Sequence, residues 1–324
     1  MRRREFIATV GALLAASSSA RGQPRQRLYR IGLLRIGQPP PSFIEPFREG
    51  LRELGYDEAH NLMIDFGLAE RAEQLPEIAT ALARRNVDVI VASGAAAVLP
   101  ARDASATIPV IFVAGIDPIG TGLAIRGLAQ PGANLTGITT VQIDLTAKRM
   151  QLLKEVMPAL SRVAFLSRET NPGNAEYVRE ATRAAAALGV ALHVIPAQSE
   201  EDFSAAFQEA VAGGAGALIP MDDAAFTSGR GKLIELANHH RLPAVYPIRE
   251  FVIDGGLVSL GPNYPEVYRR AAAFVDKIFR GASPSDLPVE QPTKFELVVN
   301  LKAAGALGVV FPPTLIARAD EVIE

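Results

Sequence analysis

Polar and small residues stand just beyond several predicted strands, where side chains can bind a small solute. In the first half of the chain they are Arg35, Ser93, Gly94, Ala95 and Asp117. Ser93 precedes a predicted helix, and a helix start leaves free backbone N–H groups that can bind a carboxylate. The Asp117 carboxylate can receive an ammonium group. These residue types therefore predict a site for a small solute that carries such groups.

The second half of the chain repeats this arrangement. For any one of its residues an ordinary helix cap or turn is an alternative interpretation. The recurrence of polar residues at so many strand ends nevertheless favours a ligand pocket. The candidates are Ser167, Asn171, Asn174 and Asp222 at strand ends, and Tyr246, Glu250 and Tyr264 in later predicted loops.

The sequence lacks the residue patterns of common catalytic, metal and nucleotide sites. Its four histidines show neither H-x-x-x-H nor H-E-x-x-H spacing, and no G-x-G-x-x-G follows the first predicted strand. The chain has no cysteine, which excludes disulfides, thiolate metal ligands and cysteine nucleophiles. Residues 229–232 lack the leading glycine and the final Ser or Thr of a phosphate loop. We expect no catalytic residues, no metal and no cofactor.

Short β-rich runs alternate with amphipathic helical stretches along most of the chain. Several runs are apolar at consecutive positions, which is typical of strands buried on both faces of a parallel sheet. The alternation predicts an α/β fold with parallel sheets flanked by helices. The predicted strands are Tyr29–Leu34, Val87–Ala92, Val110–Val113, Val163–Ser167, Leu192–Ala197, Ala217–Met221, Ala244–Tyr246, Leu257–Leu260 and Phe295–Asn300.

The alternation breaks once, near the middle of the chain. Residues 127–137 combine three glycines, a proline and an asparagine, and a second series of strands and helices follows. We expect two Rossmann-like lobes joined by a multi-stranded hinge, one of residues 28–140 with 262–285 and one of residues 141–261 with 286–324. A ligand would bind between the lobes, at the carboxyl ends of the strands.

The amino terminus has the pattern of an export signal, which we assign to residues 1–22. Arg3 and Arg4 precede Phe6 and an uncharged run, which resembles the twin-arginine signal of bacteria. Cleavage after Ala20 or after Gly22 fits the small residues there. The alternative is a fortuitously basic start of a cytosolic protein. No cysteine follows the signal, so the sequence predicts a periplasmic protein that is not a lipoprotein.

The charge balance argues against nucleic-acid and membrane partners. Residues 1–22 contain four arginines and one glutamate, so their removal reduces 33 basic and 35 acidic residues to 29 and 34. Such a mildly acidic chain has no general affinity for phosphate backbones or anionic lipids. No later apolar run reaches the roughly 20 residues that a bilayer span requires. We therefore expect no nucleic acid and no stable membrane insertion.

Three segments of the chain resemble one protein family. Residues Gly127–Gly137 read GLAQPGANLTG and are similar to its central motif G-L-x-x-P-G-x-N-x-T-G. Residues Arg249–Val252 with 255–264 resemble a later loop and crossing strand, and Leu287–Asn300 closely matches the C-terminal signature. From Tyr29 to Glu324 the chain resembles the ABC-transporter substrate-binding proteins of the tryptophan/tyrosine-type group, which have the type I periplasmic binding protein fold.

The resemblance implies two lobes that close around a small solute. The solute then passes to a membrane permease driven by an ATPase, and amino acids, aromatic ones in some members, are the suggested class. The resemblance also places the helix start at Ser93 and the turn at Asp117 opposite second-lobe residues around Asn171, Asn174 and Asp222.

Two arginines depart from the family pattern. Arg35 stands where family members often have a small or hydroxyl residue, and Arg168 belongs to a segment that separates the fifth strand from Asn171. If both arginines face the cleft, they favour a more anionic ligand than a neutral amino acid, because guanidinium groups bind carboxylates with two parallel hydrogen bonds. The alternative is that both lie on the rim in water.

Three functions remain open on the sequence. The first is a monomeric periplasmic solute receptor of an ABC importer, supported by the signal, the two-lobed pattern and the missing catalytic residues. The second is a sensory partner that presents its ligand-bound form to a membrane receptor. Measuring solute uptake after gene disruption would distinguish this role from the first. The third is an exported α/β hydrolase. Turnover of an ester or amide would support it if mutation of Asp117 or Asp222 abolished that turnover.

Overall fold

The first half of the chain forms a five-stranded parallel sheet in the order β2-β1-β3-β4-β5. The computed structural model describes residues 27–117, 119 and 127–324, so the predicted export signal lies outside the described residues. Three helices connect the strands. The elements are β1 (Tyr29–Ile36), α1 (Pro41–Glu53), β2 (Leu62–Ala69), α2 (Leu75–Arg84), β3 (Val89–Ser93), α3 (Ala95–Ala104), β4 (Val110–Ala114) and β5 (Leu135–Thr139).

Burial explains why these segments are strands. All residues of β3, β4 and β5 are buried, as expected for strands covered by helices on both faces. At the edge of the sheet, β2 instead alternates between buried and more exposed positions. Gly137 lies so close to β4 that a Cβ there would overlap the backbone of Phe112. This close approach accounts for a glycine at the end of the glycine-rich segment.

The second half of the chain forms a sheet of three parallel strands in the order β7-β6-β8 and one of four in the order β12-β11-β10-β9. A bridge between Leu218 and Ala244 joins the two. The elements are α4 (Gln142–Val156), β6 (Arg162–Ser167), α5 (Asn174–Ala187), β7 (Ala191–Pro196), α6 (Phe203–Ala212), β8 (Ala217–Pro220), α7 (Ala224–Ser228), α8 (Arg230–His239), β9 (Val245–Tyr246), α9 (Arg249–Ile253), β10 (Val258–Pro262), α10 (Tyr264–Phe279), β11 (Phe295–Asn300), α11 (Leu301–Leu307), α12 (Pro313–Ile316) and β12 (Glu321–Ile323).

The chain passes between the two halves three times. It leaves β5 for α4 through Val141, a non-glycine residue with φ 47°. It returns after β10, since α10 packs against α1 of the first half. Before β11, the Glu290 N–H donates to the Gly137 carbonyl at 2.9 Å, so this segment runs along β5. These crossings lie close to the limits proposed for the two lobes, and the limits themselves stay a prediction.

The α/β class and all nine predicted strands are confirmed, with shifts of at most two residues at their ends. Three site residues expected in loops are not in loops, because Tyr246 belongs to β9, Glu250 to α9 and Tyr264 to α10. Arg35 was expected after the first strand and lies within β1. No helix among residues 27–117 and 127–324 is long and apolar enough to cross a bilayer.

Candidate solute-binding cleft

A cavity of about 20 Å³ lies between the two halves, at the carboxyl ends of strands from both. Its wall includes the helix starts of α3 and α7 and one face of α10. The lining residues are Arg35, Phe43, Ser93, Gly94, Ala95, Val113, Ala114 and Gly115 from the first half, then Asp222, Asp223, Ala224 and Thr227, and finally Tyr264 and Tyr268.

Arg35 is the cation of this cavity. It is only 3% exposed, although it is a charged residue near the end of a strand. Its Nη1 donates to Ser93 Oγ at 2.9 Å, and its Nη2 donates to the Ala224 carbonyl across the cleft at 3.4 Å. Its Nε is buried and has no hydrogen-bond partner in the described part of the chain. A buried guanidinium with an unused N–H group is suited to an anionic ligand.

The start of α3 faces the same cavity. Gly94 is its N-cap with φ 92°, and no side chain caps the helix. The first N–H groups of a helix lack intrahelical partners and carry a partial positive charge. A residue with a Cβ at position 94 would come within 2.9 Å of the Ala224 Cβ on the other side of the cleft. Glycine there lets the two halves approach while the helix start stays open to a ligand.

Three aromatic rings form one wall of the cavity. Phe43 of α1 stacks on Tyr264 and on Tyr268, with ring centroids 4.8 Å and 4.9 Å apart. The Arg35 guanidinium lies 5.8 Å from the Phe43 ring centroid. The Tyr268 hydroxyl forms a hydrogen bond with Ser93 Oγ, so it joins the Arg35 network. The wall offers apolar surface beside the guanidinium group.

Asp222 supplies a carboxylate from the second half. It keeps part of its surface open to the cavity, and the Tyr264 hydroxyl donates to its Oδ2 at 3.0 Å. Burial in the cleft raises the pKa of Asp222 from 3.8 to about 6, partly offset by the charge of Arg149 and by the Tyr264 hydrogen bond. Asp222 is therefore a carboxylate whose charge is costly in the closed cleft.

A buried ion pair supports the second-half side of the cavity. Arg168 Nη1 lies 3.5 Å from Asp223 Oδ2, and Asn171 Nδ2 donates to the same oxygen at 2.7 Å. Asp223 Oδ1 accepts the Ala225 N–H at 2.7 Å and so caps α7. Arg168 is 2% exposed. The alternative that Arg35 and Arg168 lie on the rim in water is therefore wrong.

The guanidinium group of Arg149 is also buried, but it lies behind the cavity and does not line it. Its Nε donates to the Leu260 carbonyl at 2.9 Å and its Nη2 to the Pro247 carbonyl at 3.4 Å. Gln142 accepts from it through both its backbone and its side-chain oxygen. These acceptors are all neutral, and Arg149 is fully buried. Arg149 ties the crossing segments together and places a positive charge near Asp222.

Side chains from the two halves also meet around the cavity. Ser42 Oγ donates to Glu250 Oε1 at 2.8 Å, and Ser228 Oγ donates to the Gln38 carbonyl at 3.0 Å. Glu250 does not line the cavity, and burial raises the pKa of its carboxyl. With the Arg35 bond to Ala224, these contacts hold the two halves in a closed arrangement.

A second cavity of about 250 Å³ adjoins the first at Gly115. Asp117, Asp144 and Glu176 line it, and both Asp117 and Asp144 are exposed. Asp117 therefore lies at the open edge of the cleft rather than beside Arg35. In the described part of the chain, no group of three or more His, Cys, Asp or Glu side chains could hold a metal ion.

The structure brings half of the predicted site residues together around the cavity. The side chain of Tyr246 instead stacks on Phe251 in the core, with ring centroids 4.7 Å apart. Asn171 supports Asp223, and the buried Asn174 Oδ1 has no hydrogen-bond partner among the described residues. The predicted residues in the cavity wall are Arg35, Ser93, Gly94, Ala95, Asp222 and Tyr264, and those outside it are Asp117, Ser167, Asn171, Asn174, Tyr246 and Glu250.

Sequence reasoning missed several wall residues. Tyr268 follows Tyr264 by four residues on α10, a spacing that puts both rings on one helix face. That spacing is present in the sequence, but it does not distinguish a cavity wall from core packing. Phe43 likewise fits the buried stripe of α1. Gly115 and Thr227 gave no signal, because small residues in loops and short helices are common.

Known proteins share this architecture. A solved structure of a conserved domain protein from Vibrio cholerae matches with a TM-score of 0.85 and 25% identity, over 91% of this chain and 100% of that one. A solved ABC domain in complex with L-Trp from Streptococcus pneumoniae matches with a TM-score of 0.82 and 22% identity, over the same shares. A tyrosine-binding protein of Clostridioides difficile is 23% identical over 270 residues, which are 81% of this chain and 75% of that protein.

These likenesses show the type I periplasmic binding protein fold that the sequence resemblance implied. The family model of ABC transporter substrate binding proteins matches residues 42–323, which include all but the first residue of α1, every helix and strand of the second half and nearly all of the cavity wall. This chain therefore belongs to the family of ABC transporter substrate binding proteins.

Proposed function

We propose that this protein is the solute receptor of an ABC importer, which binds an amino acid or a related aromatic or carboxylate compound and delivers it to a permease. One observation carries the proposal: a cavity with a buried cation, a carboxylate and an aromatic wall is enclosed by residues of both halves. Such a cavity sequesters a ligand and presents no catalytic triad or metal cluster in the described residues.

Binding would work through closure of the two lobes. A ligand stabilises the closed form only if it binds that form more tightly than the open one, so it must contact both lobes at once. Arg35 and the start of α3 supply contacts from one side, and residues of the 222–227 segment supply contacts from the other. The closed cavity of about 20 Å³ is far smaller than the roughly 300 Å³ of typical ligand pockets. The lobes must therefore move apart to admit a ligand, and side chains of the cavity wall must shift to make room for it when the lobes close.

The relatives support the solute class. One is described as a tyrosine-binding protein and another was solved in complex with L-Trp. The stacked rings of Phe43, Tyr264 and Tyr268 provide a surface against which an aromatic or aliphatic ligand can pack.

The remaining parts of the proposal come from the sequence. Export by the signal in residues 1–22, which resembles a twin-arginine signal, would place a lipid-free monomer in the periplasm. The lobes would consist of residues 28–140 with 262–285 and residues 141–261 with 286–324. The partners would be the small solute, an ABC permease and its ATPase.

A thermal-shift screen of amino acids and aromatic carboxylates on verified ligand-free protein tests the proposal. A binding solute at a hundred times its Kd should add about 2.7 kcal/mol to the free energy of unfolding. Disruption of the gene should then reduce uptake of that solute. A screen without any stabilising solute contradicts solute binding, and normal uptake with lost signalling contradicts the importer role.

A further inference from the structure

We propose that the ligand is an organic monoanion, with a carboxylate bound by Arg35 at the start of α3 and no ammonium group. The inference rests on the proposed solute-binding function and narrows it to one charge class. It predicts that this protein distinguishes carboxylic acids from the corresponding amino acids, and prefers the acids.

The hydrogen bonds of Arg35 define the subsite. Its Nη1 is used by Ser93, whereas its Nε has no partner in the described part of the chain and its Nη2 makes only the 3.4 Å bond to Ala224. Nε and Nη2 lie on the same edge of a guanidinium plane, which is the edge that holds both oxygens of a carboxylate. The unused bonds of Arg35 therefore match a bidentate carboxylate, and Arg35 lines the cavity.

The start of α3 adds a second positive pole to the same subsite. Gly94 and Ala95 line the cavity, and no side chain caps this ten-residue helix. Its first N–H groups can donate to a carboxylate that Arg35 holds. The two features are independent, since one comes from β1 and the other from the β3–α3 turn.

The buried charges around the cavity do not cancel. The guanidinium groups of Arg35, Arg149 and Arg168 are buried, whereas the nearby carboxylates are only those of Asp222 and Asp223. Asp223 is paired with Arg168 at 3.5 Å. Among the described residues, neither Arg35 nor Arg149 has a carboxylate oxygen within 4.0 Å.

The cluster therefore encloses one surplus positive charge. An uncompensated charge in a dry site is costly. A ligand with a net charge of minus one removes the surplus when the lobes close, whereas a zwitterion leaves it in place. Asp222 accepts a hydrogen bond from Tyr264 and offsets the charge of Arg149, so a ligand ammonium group would add to the surplus positive charge that remains.

Other acidic residues near the cleft do not change this balance. The charges that act on Glu250 are those of Arg249 and Arg230, whereas Arg149, although it also lies outside the cavity wall, acts on Asp222. Asp117 and Asp144 are exposed at the edge of the second cavity. Water and salt screen such exposed charges, so they contribute little inside the closed cleft.

Isothermal titration with three matched probes tests the inference. The probes are 3-phenylpropionate, L-phenylalanine and 2-phenylethylamine, which share a phenyl ring and a two-carbon linker and differ in their charged groups. We expect 3-phenylpropionate to bind at least tenfold more tightly than L-phenylalanine, and 2-phenylethylamine not to bind. Tighter binding of L-phenylalanine would overturn the inference while leaving solute binding intact. Binding of none of the three, nor of any solute in the thermal-shift screen, would overturn both.

Two substitutions separate the subsite from a merely structural role. Asp222→Asn removes a negative charge from the cavity wall, so affinity for 3-phenylpropionate should rise, whereas an ammonium-binding Asp222 would make affinity for L-phenylalanine fall. Arg35→Lys keeps the charge and removes the two-nitrogen edge, so affinity for 3-phenylpropionate should fall at least tenfold while the circular dichroism spectrum stays native. Unchanged affinity in a folded Arg35→Lys variant would overturn the subsite. If Arg35→Lys does not fold, the Asp222→Asn titration still decides between the two charge classes.

Discussion

Replacement of Gly115 by alanine should block closure while leaving each half of the molecule intact. Gly115 follows β4, and in the closed form it faces Tyr177 and Asp222 of the other half. A Cβ at this position would lie 2.6 Å from the Tyr177 hydroxyl and 2.9 Å from Asp222 Oδ2. Tyr177 is fully buried, so its ring cannot easily move aside. The added methyl group therefore destabilises the closed form but not an open form.

The size of the effect follows from this overlap. Overpacking by one methyl group in a close-packed site typically costs about 1–3 kcal/mol. Because only the closed form pays this cost, it appears as a loss of ligand affinity of about 5- to 150-fold. Thermal stability without ligand should change little, since the overlap disappears when the lobes part.

Isothermal titration of Gly115→Ala with the tightest of the three probes measures this loss. Gly231→Ala is the matched control, because it makes the same chemical change where a Cβ would meet nothing within 4 Å. The control should keep the affinity of the wild type. Equal affinity of Gly115→Ala and the wild type would refute the claim that binding requires the closed arrangement seen here.

Three further predictions concern the groups around the cavity. Burial raises the pKa of Asp222 from 3.8 to about 6, so the closed form favours the protonated carboxyl. The contribution of Asp222 to the stability of the closed form is therefore complete below pH 3.8 and is lost as the pH rises through about 6. The melting temperature of the wild type relative to Asp222→Asn should therefore fall between pH 4 and pH 7, and a constant difference would contradict the assignment. Asp223→Ala leaves Arg168 buried without its carboxylate and should cost about 3–5 kcal/mol in urea unfolding, against about 0–1 kcal/mol for Asp254→Ala in its exposed pair with Arg230. Asn174→Ala removes a buried oxygen that has no partner among the described residues and that lies outside the cavity wall, so ligand affinity should stay unchanged and stability should stay the same or rise, and a loss of affinity in the titration would instead assign Asn174 to the binding site.

Most strands could be predicted because the sheets are buried on both faces. Runs such as Val110–Val113 and Val163–Ser167 are apolar at consecutive positions, and helices at regular spacing separate them. The edge strand β2 escaped prediction because Asp65 and Gly67 interrupt its apolar residues. The three-residue strand β12 is also mixed, and only its pairing with β11 makes it a strand.

The site could be predicted in part because strand ends converge. Arg35 and Ser93 lie at the carboxyl ends of β1 and β3, which are neighbours in a parallel sheet, so their meeting follows from topology. Sequence does not say which way a residue at a strand end faces. Tyr246 lies at the end of the short strand β9, just as Arg35 and Ser93 lie at the ends of their strands. Its ring nevertheless packs into the core.

The aromatic wall shows a second limit of sequence reasoning. Phe43 and Tyr268 occupy the apolar faces of α1 and α10, and the same helical spacing serves a core and a cavity wall. Only the packing of α10 across the first half places these rings beside Arg35. The contact joins segments more than 200 residues apart, which no local pattern records.

Closure of two lobes around a solute is the central claim, and a distance measured between them tests it most directly. The chain has no cysteine, so cysteines introduced at the exposed positions Arg84 on α2 and Gln208 on α6 can carry spin labels without background. We expect pulsed electron spin resonance to show a shorter label-to-label distance when 3-phenylpropionate is added. The same distance distribution with and without a probe that calorimetry shows to bind would contradict the account.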